Sequence, residues 1–296
     1  MADGGEGTLE VLGGANRTTV VTGPLGQPVE AAWRLHRGVA VIEMARASGL
    51  TLAGGPTKND ALNATTQGVG ELIDTALNAG AKKIIVCLGG SATTDGGLGA
   101  IKAIGTPARL LAVDFLVACD VDTLFTDAAK VFAPQKGATP AQVGMLTGRL
   151  EQLAQRYERD YGINVARIPG SGAAGGLAGG LAALGAKLIP GFDIVAEENG
   201  FDEAVKEHDI VITGEGLLDD TSFDGKVVGS VLDYAHDAKT RTVAIVGDID
   251  EAMDSSLRAE LEAVSITDMF GADLALQQVL RCVEDATTEV LKKLLS

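Results

Sequence analysis

The chain is short of cysteine, of histidine and of positive charge, and each shortage excludes a kind of chemistry. Its three cysteines are an odd number and form no CxxC pair. Cys87 and Cys119 each end an apolar run and Cys282 lies in a helical pattern. They read as buried free thiols of a protein kept in the reducing cytoplasm, not as a disulfide framework. The three histidines, His36, His208 and His236, show no metal-ligand spacing, which excludes a zinc site of the usual kind. Acidic residues number 40 against 24 basic, for a net charge of −16. Such a surface repels nucleic-acid phosphate and anionic lipid, so no nucleic acid and no membrane is expected as a partner. No stretch reaches the roughly 18 consecutive apolar residues of a membrane span. The polar, acidic segment Met1–Glu6 carries no signal-peptide pattern.

Nucleotide fingerprints are also scarce. There is no GxxxxGK[ST] phosphate loop. Gly170–Gly175 matches GxGxxG literally, but it follows Arg167-Ile168-Pro169 and lacks the strand-to-helix setting and the downstream acidic residue of a dinucleotide site. No internal repeat and no low-complexity tail is visible.

What is present is apolar content of 46% over 296 residues, enough to bury one large core or two modest ones. The second half alternates helix and strand. Asn199–Glu207, Gly225–Ala238 and Asp250–Val264 read as helices, and Asp209–Thr213, Thr242–Val246 and Ser265–Phe270 as short buried strands. A last helix spans Ala272–Leu295, with Leu276, Val279, Leu280, Val283, Ala286, Val290 and Leu294 on one stripe. Apolar strands between helices predict a parallel sheet covered on both faces. The first half is mixed. Thr18–Thr22, Val29–Leu35 and Val39–Met44 read as strands joined by turns at Gly23–Gly26 and Arg37-Gly38, an antiparallel meander. A helix over Gly68–Ala79 leads to the strand Ile84–Leu88, and further helices cover Pro140–Tyr161 and Gly172–Leu184. The change of pattern places a domain boundary near Pro190–Asp193. The expected fold class is α/β with two domains, one holding a parallel sheet and the other a mixed sheet.

The unusual residue choices gather in glycine-and-carboxylate loops. Asp3-Gly4-Gly5-Glu6-Gly7-Thr8 frees backbone amides at the start of a helix, and its carboxylates either bind a divalent cation or cap that helix. Gly89–Gly97, directly after an apolar strand, encloses Ser91, Thr93, Thr94 and Asp95 between glycine pairs and reads as a ligand loop. Gly170–Gly176 serves either a ligand or close helix packing. Thr213–Asp220, with Gly225-Lys226 beyond, leaves the end of a parallel strand, where open α/β sheets bind ligands. There Glu215 and Asp219 suit a metal and Lys226 a phosphate, against the plain alternative of a solvated acidic turn.

Taken together, these segments resemble the class I glycerate kinases. The matching runs are ADGGEGT (2–8), VTGPLG (21–26), GGSATTDGG (89–97), ACDVD (118–122), PQKGAT (134–139), PGSGAAGGLAGGL (169–181), PGFDIV (190–195) and TGEGLLDD…GK (213–226), in family order over essentially the whole chain. The resemblance implies ATP- and Mg²⁺-dependent phosphorylation of D-glycerate to phosphoglycerate by two α/β domains with the active site between them. One of these would be flavodoxin-like and discontinuous, residues 1–14 with 193–296, and the other an insertion over 15–192. It implies Asp3, Glu6, Glu215 and Asp219 on one side of the site, and Ser91, Asp95, Asp120 and Lys136 on the other. The chain departs from the family in lacking an earlier strand with an SxK-like loop, a segment after Gly105 and a shorter one after Asp122. Thr94 stands where the family usually has Asn, and Asp220-Thr221-Ser222 where it favours a Gln.

Phosphoryl transfer needs charge neutralisation and in-line positioning more than covalent help. Under this resemblance the amides around Gly89, Gly90, Ser91 and Thr93, and those of Gly214 and Gly216, would bind phosphate oxygens. Glu215 or Asp219 would hold Mg²⁺, which needs only one or two carboxylates. Lys226 would neutralise the transferred group, Asp95 or Asp120 would orient the hydroxyl or take its proton, and Lys136 would pair with the glycerate carboxylate. A homo-oligomer is compatible with this reading. Two others compete: a homologue that binds glycerate or nucleotide without transfer, and a nucleotide-dependent oxidoreductase.

Overall fold

The computed structural model describes residues 1–223 and 226–294. The chain divides into two compact units, Met1–Val195 and Ala196–Ser296. Residues 1–14, expected to group with the C-terminal segment, lie in the first unit, and the boundary falls at 195/196 where 192/193 was expected.

The first unit is built on a six-stranded sheet in the order of the sequence: β1 (Arg17–Thr22), β2 (Pro28–His36), β3 (Val39–Glu43), β4 (Lys83–Cys87), β5 (Asp114–Ala118) and β6 (Lys187–Ile189). β1, β2 and β3 form the expected antiparallel meander, and β3 to β6 run parallel. The parallel strands β4 and β5 are apolar and buried, as a sheet covered on both faces requires. One face meets the main core, where Trp33, Ile42, Val86 and Val117 pack with Leu72, Ile73, Leu146 and Leu150 from helices Gln67–Asn78 and Pro140–Tyr161. The other carries Val41, Ile85 and Leu116 against Leu9 and Ile194. The long helix Pro140–Tyr161 starts on a capping box, Thr139 Oγ1 accepting from the Gln142 amide, and stops at Gly162 with φ 74°.

The second unit holds a three-stranded parallel sheet, with β9 (Arg241–Val246) between β7 (Ile210–Thr213) and β11 (Glu262–Ser265). A small parallel pair, β8 (Leu217–Leu218) with β10 (Asp248–Ile249), extends the strand ends. Three expectations are corrected here. Residues 266–270 are a helix and the third strand ends at Ser265, because Ser265 Oγ accepts from the Asp268 amide and starts a new helix. The preceding helix is accordingly short, Ser255–Glu260. The last helix is broken at Gln278 into Ala272–Gln277 and Val279–Leu294. Its buried face is Ala275, Cys282, Ala286 and Val290, while Leu276 and Leu280 of the expected stripe are 80% and 87% exposed. Gly225 and Leu295, placed at helix ends by the sequence reading, lie outside the described residues.

All three cysteines are free thiols, and burial pushes the Cys87 thiol up to about 12. Among the described residues no helix is long and apolar enough to cross a membrane.

Candidate active site

Parallel strands open their loops at their carboxyl ends, and those of β3, β4 and β5 lie side by side in register, Glu43 beside Cys87 and Cys87 beside Ala118. The chain leaves β4 into Gly89-Gly90-Ser91 and β5 into Cys119-Asp120. Together with Asp3, Gly4 and Gly5 these residues line a cavity of about 450 Å³, completed by Gln135, Lys136, Ala173 and Ala174.

The loops are interlocked by close approach. Gly4 has φ +89° and packs so near Ala118 and Gly191 that an added Cβ would come within 2.7 Å of both. A Cβ on Gly89 would lie 2.7 Å from the Glu6 amide nitrogen, and one on Gly90 would overlap the Glu6 carboxylate. The Ala/Gly helix Ala173–Ala183 resolves the choice at Gly170–Gly176 toward packing. Ala174, Gly175 and Gly176 are left-handed, and a Cβ on Gly175 would collide with the Thr93 carbonyl. The same run nevertheless presents Ala173 and Ala174 to the cavity.

Lys136 is 2% exposed, and its Nζ donates to the Thr93 carbonyl oxygen at 2.7 Å. Burial lowers its pKa from 10.5 to about 7, although Asp95 pulls the other way. Asp120 accepts from the Gly191 amide at 2.7 Å. Burial first, then Asp3 and Asp193, raise its carboxyl to about 6 against the effect of that bond. The cavity thus holds an amine and a carboxylate that both change charge close to neutrality.

Of the residues singled out by sequence, Asp3, Gly89, Gly90, Ser91, Asp120 and Lys136 meet at this cavity. Glu6 is exposed beside Gly90, and Thr93 lies buried behind the wall with its hydroxyl unpartnered. Asp95 lines a different cavity, with Thr65, Gln67, Lys102 and Arg149. Its oxygens accept from the Thr66 amide and hydroxyl and from the Gly97 and Gly99 amides, at 2.9–3.1 Å. Sequence reasoning missed Gln135 and Glu43. The signal for Glu43 was a carboxylate closing an otherwise apolar strand.

In the second unit, Gly214 follows β7, and a Cβ there would meet the Ile245 carbonyl at 2.2 Å. The Gly216 Cα is open, with nothing within 4 Å of a built Cβ. Asp219 accepts from Thr221 Oγ1 at 2.6 Å and lies 4.0 Å from Lys226 Nζ. The Thr221 bond, ahead of the lysine, holds its carboxyl below the usual range. Glu215 has a buried Oε1 with no partner, a charge density that suits a cation. Among the described residues no group of three or more His, Cys, Asp or Glu could hold a metal, but Mg²⁺ keeps most of its shell for water and phosphate. The orphan oxygen of Glu215 therefore fits such an ion, while Asp219, with one oxygen engaged by Thr221, is a second ligand on the resemblance alone.

Known proteins match the chain along nearly its full length. The model of the glycerate kinase family matches residues 1–108 and 105–295, two stretches that meet near Gly105. A glycerate kinase of Halalkalibacterium halodurans is 38% identical over 330 residues, covering 98% of this chain and 87% of that protein. The glycerate 2-kinase of Escherichia coli is 38% identical over 287 residues, 84% of this chain and 75% of its own length. A solved structure from Salmonella typhimurium LT2, assigned as glycerate kinase 2, superposes with a TM-score of 0.82 at 34% identity, over 99% of this chain and 88% of that one. The chain belongs to the glycerate kinase family.

Proposed function

We propose that the protein transfers the terminal phosphoryl group of ATP to a hydroxyl of D-glycerate in the cytoplasm. The observation that carries this reading is the cavity at the ends of β3, β4 and β5. It offers an acid–base carboxylate, an amine and a glycine-lined wall to a ligand the size of a hydroxy acid.

The chain's own groups divide the work. Lys136 Nζ takes up a proton and pairs with the glycerate carboxylate. Asp120 orients the attacking hydroxyl and accepts its proton as the new O–P bond forms and the bond to ADP breaks. Asp3, whose Oδ1 accepts from the Gly5 amide, and the amides of Gly4, Gly89 and Gly90, with Ser91, fix the substrate against the wall. Glu6 and Thr93 support that wall, and Asp95 holds the Gly97–Gly99 turn in shape. In the second unit the Gly214 and Gly216 amides and Lys226 are the groups that suit phosphate oxygens, as the family resemblance implies. Glu215 and Asp219 would hold Mg²⁺, which supplies charge neutralisation across the phosphates when bound.

ADP release measured with ATP and Mg²⁺, with and without D-glycerate, tests the proposal, and phosphorus NMR of the product assigns carbon 2 or carbon 3. Glycerate-dependent release is expected. Glycerate binding without release, from a folded protein, would refute transfer and leave a binding protein.

A further inference from the structure

We infer that Glu43 is a positioning residue for the glycerate site, holding the Asp3–Thr8 loop in place from the end of the neighbouring strand. This rests on the reading that the cavity takes glycerate. Glu43 is the last residue of β3, and its side chain is 3% exposed. A buried carboxylate is costly unless its oxygens are matched, and an apolar side chain would serve a strand core better. Here one oxygen is given wholly to the Asp3–Thr8 segment and the first turn of the helix it enters, and the other to an arginine that reaches the same helix. One oxygen, Oε1, accepts from the Gly7 amide at 2.8 Å and the Leu9 amide at 2.9 Å. The other, Oε2, accepts from Arg46 Nε at 3.0 Å, and Arg46 reaches Glu10 at 3.7 Å on the helix that the loop begins.

The loop needs an outside anchor. Gly4 and Gly7 are left-handed, with φ +89° and +94°, so the segment is not held by regular structure. The helix it enters is only Thr8–Val11, and its N-cap, Gly7, has no side chain with which to bond the amides. Glu43 supplies from a rigid strand the acceptors that a capping residue would supply locally. Because Gly5 and Glu6 pack on Gly89, and Gly4 on Ala118, a displaced loop moves Asp3, Gly4 and Gly5 away from the cavity they line. Glu43 itself is not among the cavity-lining residues, so its effect passes through the loop.

The test compares wild type with Glu43→Gln, Glu43→Asp and Glu43→Leu. It uses hydrogen exchange of the peptide covering residues 3–12 and steady-state kinetics with glycerate. Gln keeps one carbonyl acceptor at the right reach, so protection and KM stay close to wild type. Asp keeps the charge but withdraws it by one methylene, and Leu removes it. Both are expected to speed exchange in residues 3–12 alone and to raise KM for glycerate about tenfold or more, with kcat changed less than about threefold. If Glu43→Leu does not fold, Glu43→Asp carries the same comparison. Unchanged exchange in residues 3–12 for Glu43→Asp, or an equal loss in Glu43→Gln and Glu43→Asp, would overturn the inference. A wild-type protein that releases no ADP with glycerate would sink the kinase reading alone, and the exchange data would still decide the role of Glu43.

Discussion

Lys136 is a group whose function and stability pull in opposite directions, and replacing it by Met exposes the conflict. In the unfolded chain its amine holds a proton up to about pH 10.5, while in the folded protein burial releases it at about 7. Between those values the unfolded state binds more protons, so this group makes stability rise with pH. The slope approaches ~1.4 kcal/mol per pH unit inside the window and is about half that at its lower edge. Between pH 7 and pH 9 the gain is about 2 kcal/mol. At pH 7 the buried amine costs on the order of 4 kcal/mol relative to a neutral side chain. Against that stands its hydrogen bond to the Thr93 carbonyl, a charge-assisted bond of about 1.5–3 kcal/mol when the amine is protonated. Lys136→Met fills nearly the same volume and removes both terms. The variant is expected to match or exceed wild-type stability at pH 7, by a margin that narrows by about 2 kcal/mol toward pH 9, and to lose glycerate turnover. Urea unfolding followed by the fluorescence of Trp33 suits this comparison. Trp33 is the single tryptophan of the chain and lies 1% exposed in the same core. Parallel stability profiles for the two proteins from pH 7 to 9 would refute the reasoning, since they would mean that Lys136 keeps its ordinary affinity for protons.

Other consequences are open to direct measurement. Above about pH 7, where Lys136 loses the proton that pairs with glycerate, kcat/KM should fall, and below that it should climb on an acid limb through pH 6 set by the raised carboxyl of Asp120. Asp120→Asn should abolish that limb and slow turnover by about 10²–10⁴-fold, and a variant with normal turnover would remove Asp120 from proton transfer. Because its folded-state value lies above the unfolded one, Asp120 lowers stability as pH rises from about 4 to 6, and Asp120→Asn should flatten that part of a melting-temperature profile. Gly175→Ala forces a side chain into φ +66° against the Thr93 carbonyl, so a loss of at least about 2 kcal/mol is expected in the same urea assay. Glu215→Gln should raise the Mg²⁺ concentration for half-maximal ADP release about tenfold while leaving the urea midpoint of the first unit unchanged. An unaltered Mg²⁺ dependence would exclude Glu215 as a ligand.

Periodicity made much of the fold legible. The antiparallel meander, the parallel strands and the long capped helix Pro140–Tyr161 follow from alternation, apolar runs and turn residues. It failed where a local hydrogen bond overrode a pattern. Ser265 ends a strand by capping a helix, which no hydropathy count at Ile266–Phe270 reveals. It failed in part at the last helix, where Leu276 and Leu280 of the apolar stripe are exposed and the smaller Ala275 and Cys282 join Ala286 and Val290 of that stripe in facing the core. The loops were legible as special because glycine pairs flank hydroxyls and carboxylates. Which glycine serves a ligand and which serves packing was not, because both need the same missing Cβ. Gly216 is open, whereas Gly175 is pressed on the Thr93 carbonyl.

The carboxylates show why site residues are harder to read than folds. Asp95 and Glu43 have their oxygens bonded by surrounding amides, a hydroxyl and, for Glu43, a guanidinium. Such groups are already paid in hydrogen bonds and act by holding loops. Asp120 has one amide donor and is pressed by Asp3 and Asp193, while Glu215 keeps a buried oxygen with no partner. A ligand that brings a hydroxyl proton to Asp120, or a cation to Glu215, relieves an existing electrostatic cost. Asp95 offers no such relief, although its motif is the more conspicuous in sequence. Residue type and motif therefore mark where a carboxylate sits, and the count of donors around it decides whether it supports the wall or meets the ligand. The same criterion separates the variants. Asp95→Asn should lower the unfolding midpoint by unpairing the Gly97 and Gly99 amides, whereas Asp120→Asn should leave the midpoint at pH 7 unchanged or raised and remove turnover. Loss of turnover without loss of stability in Asp95→Asn would reverse the assignment of the two residues.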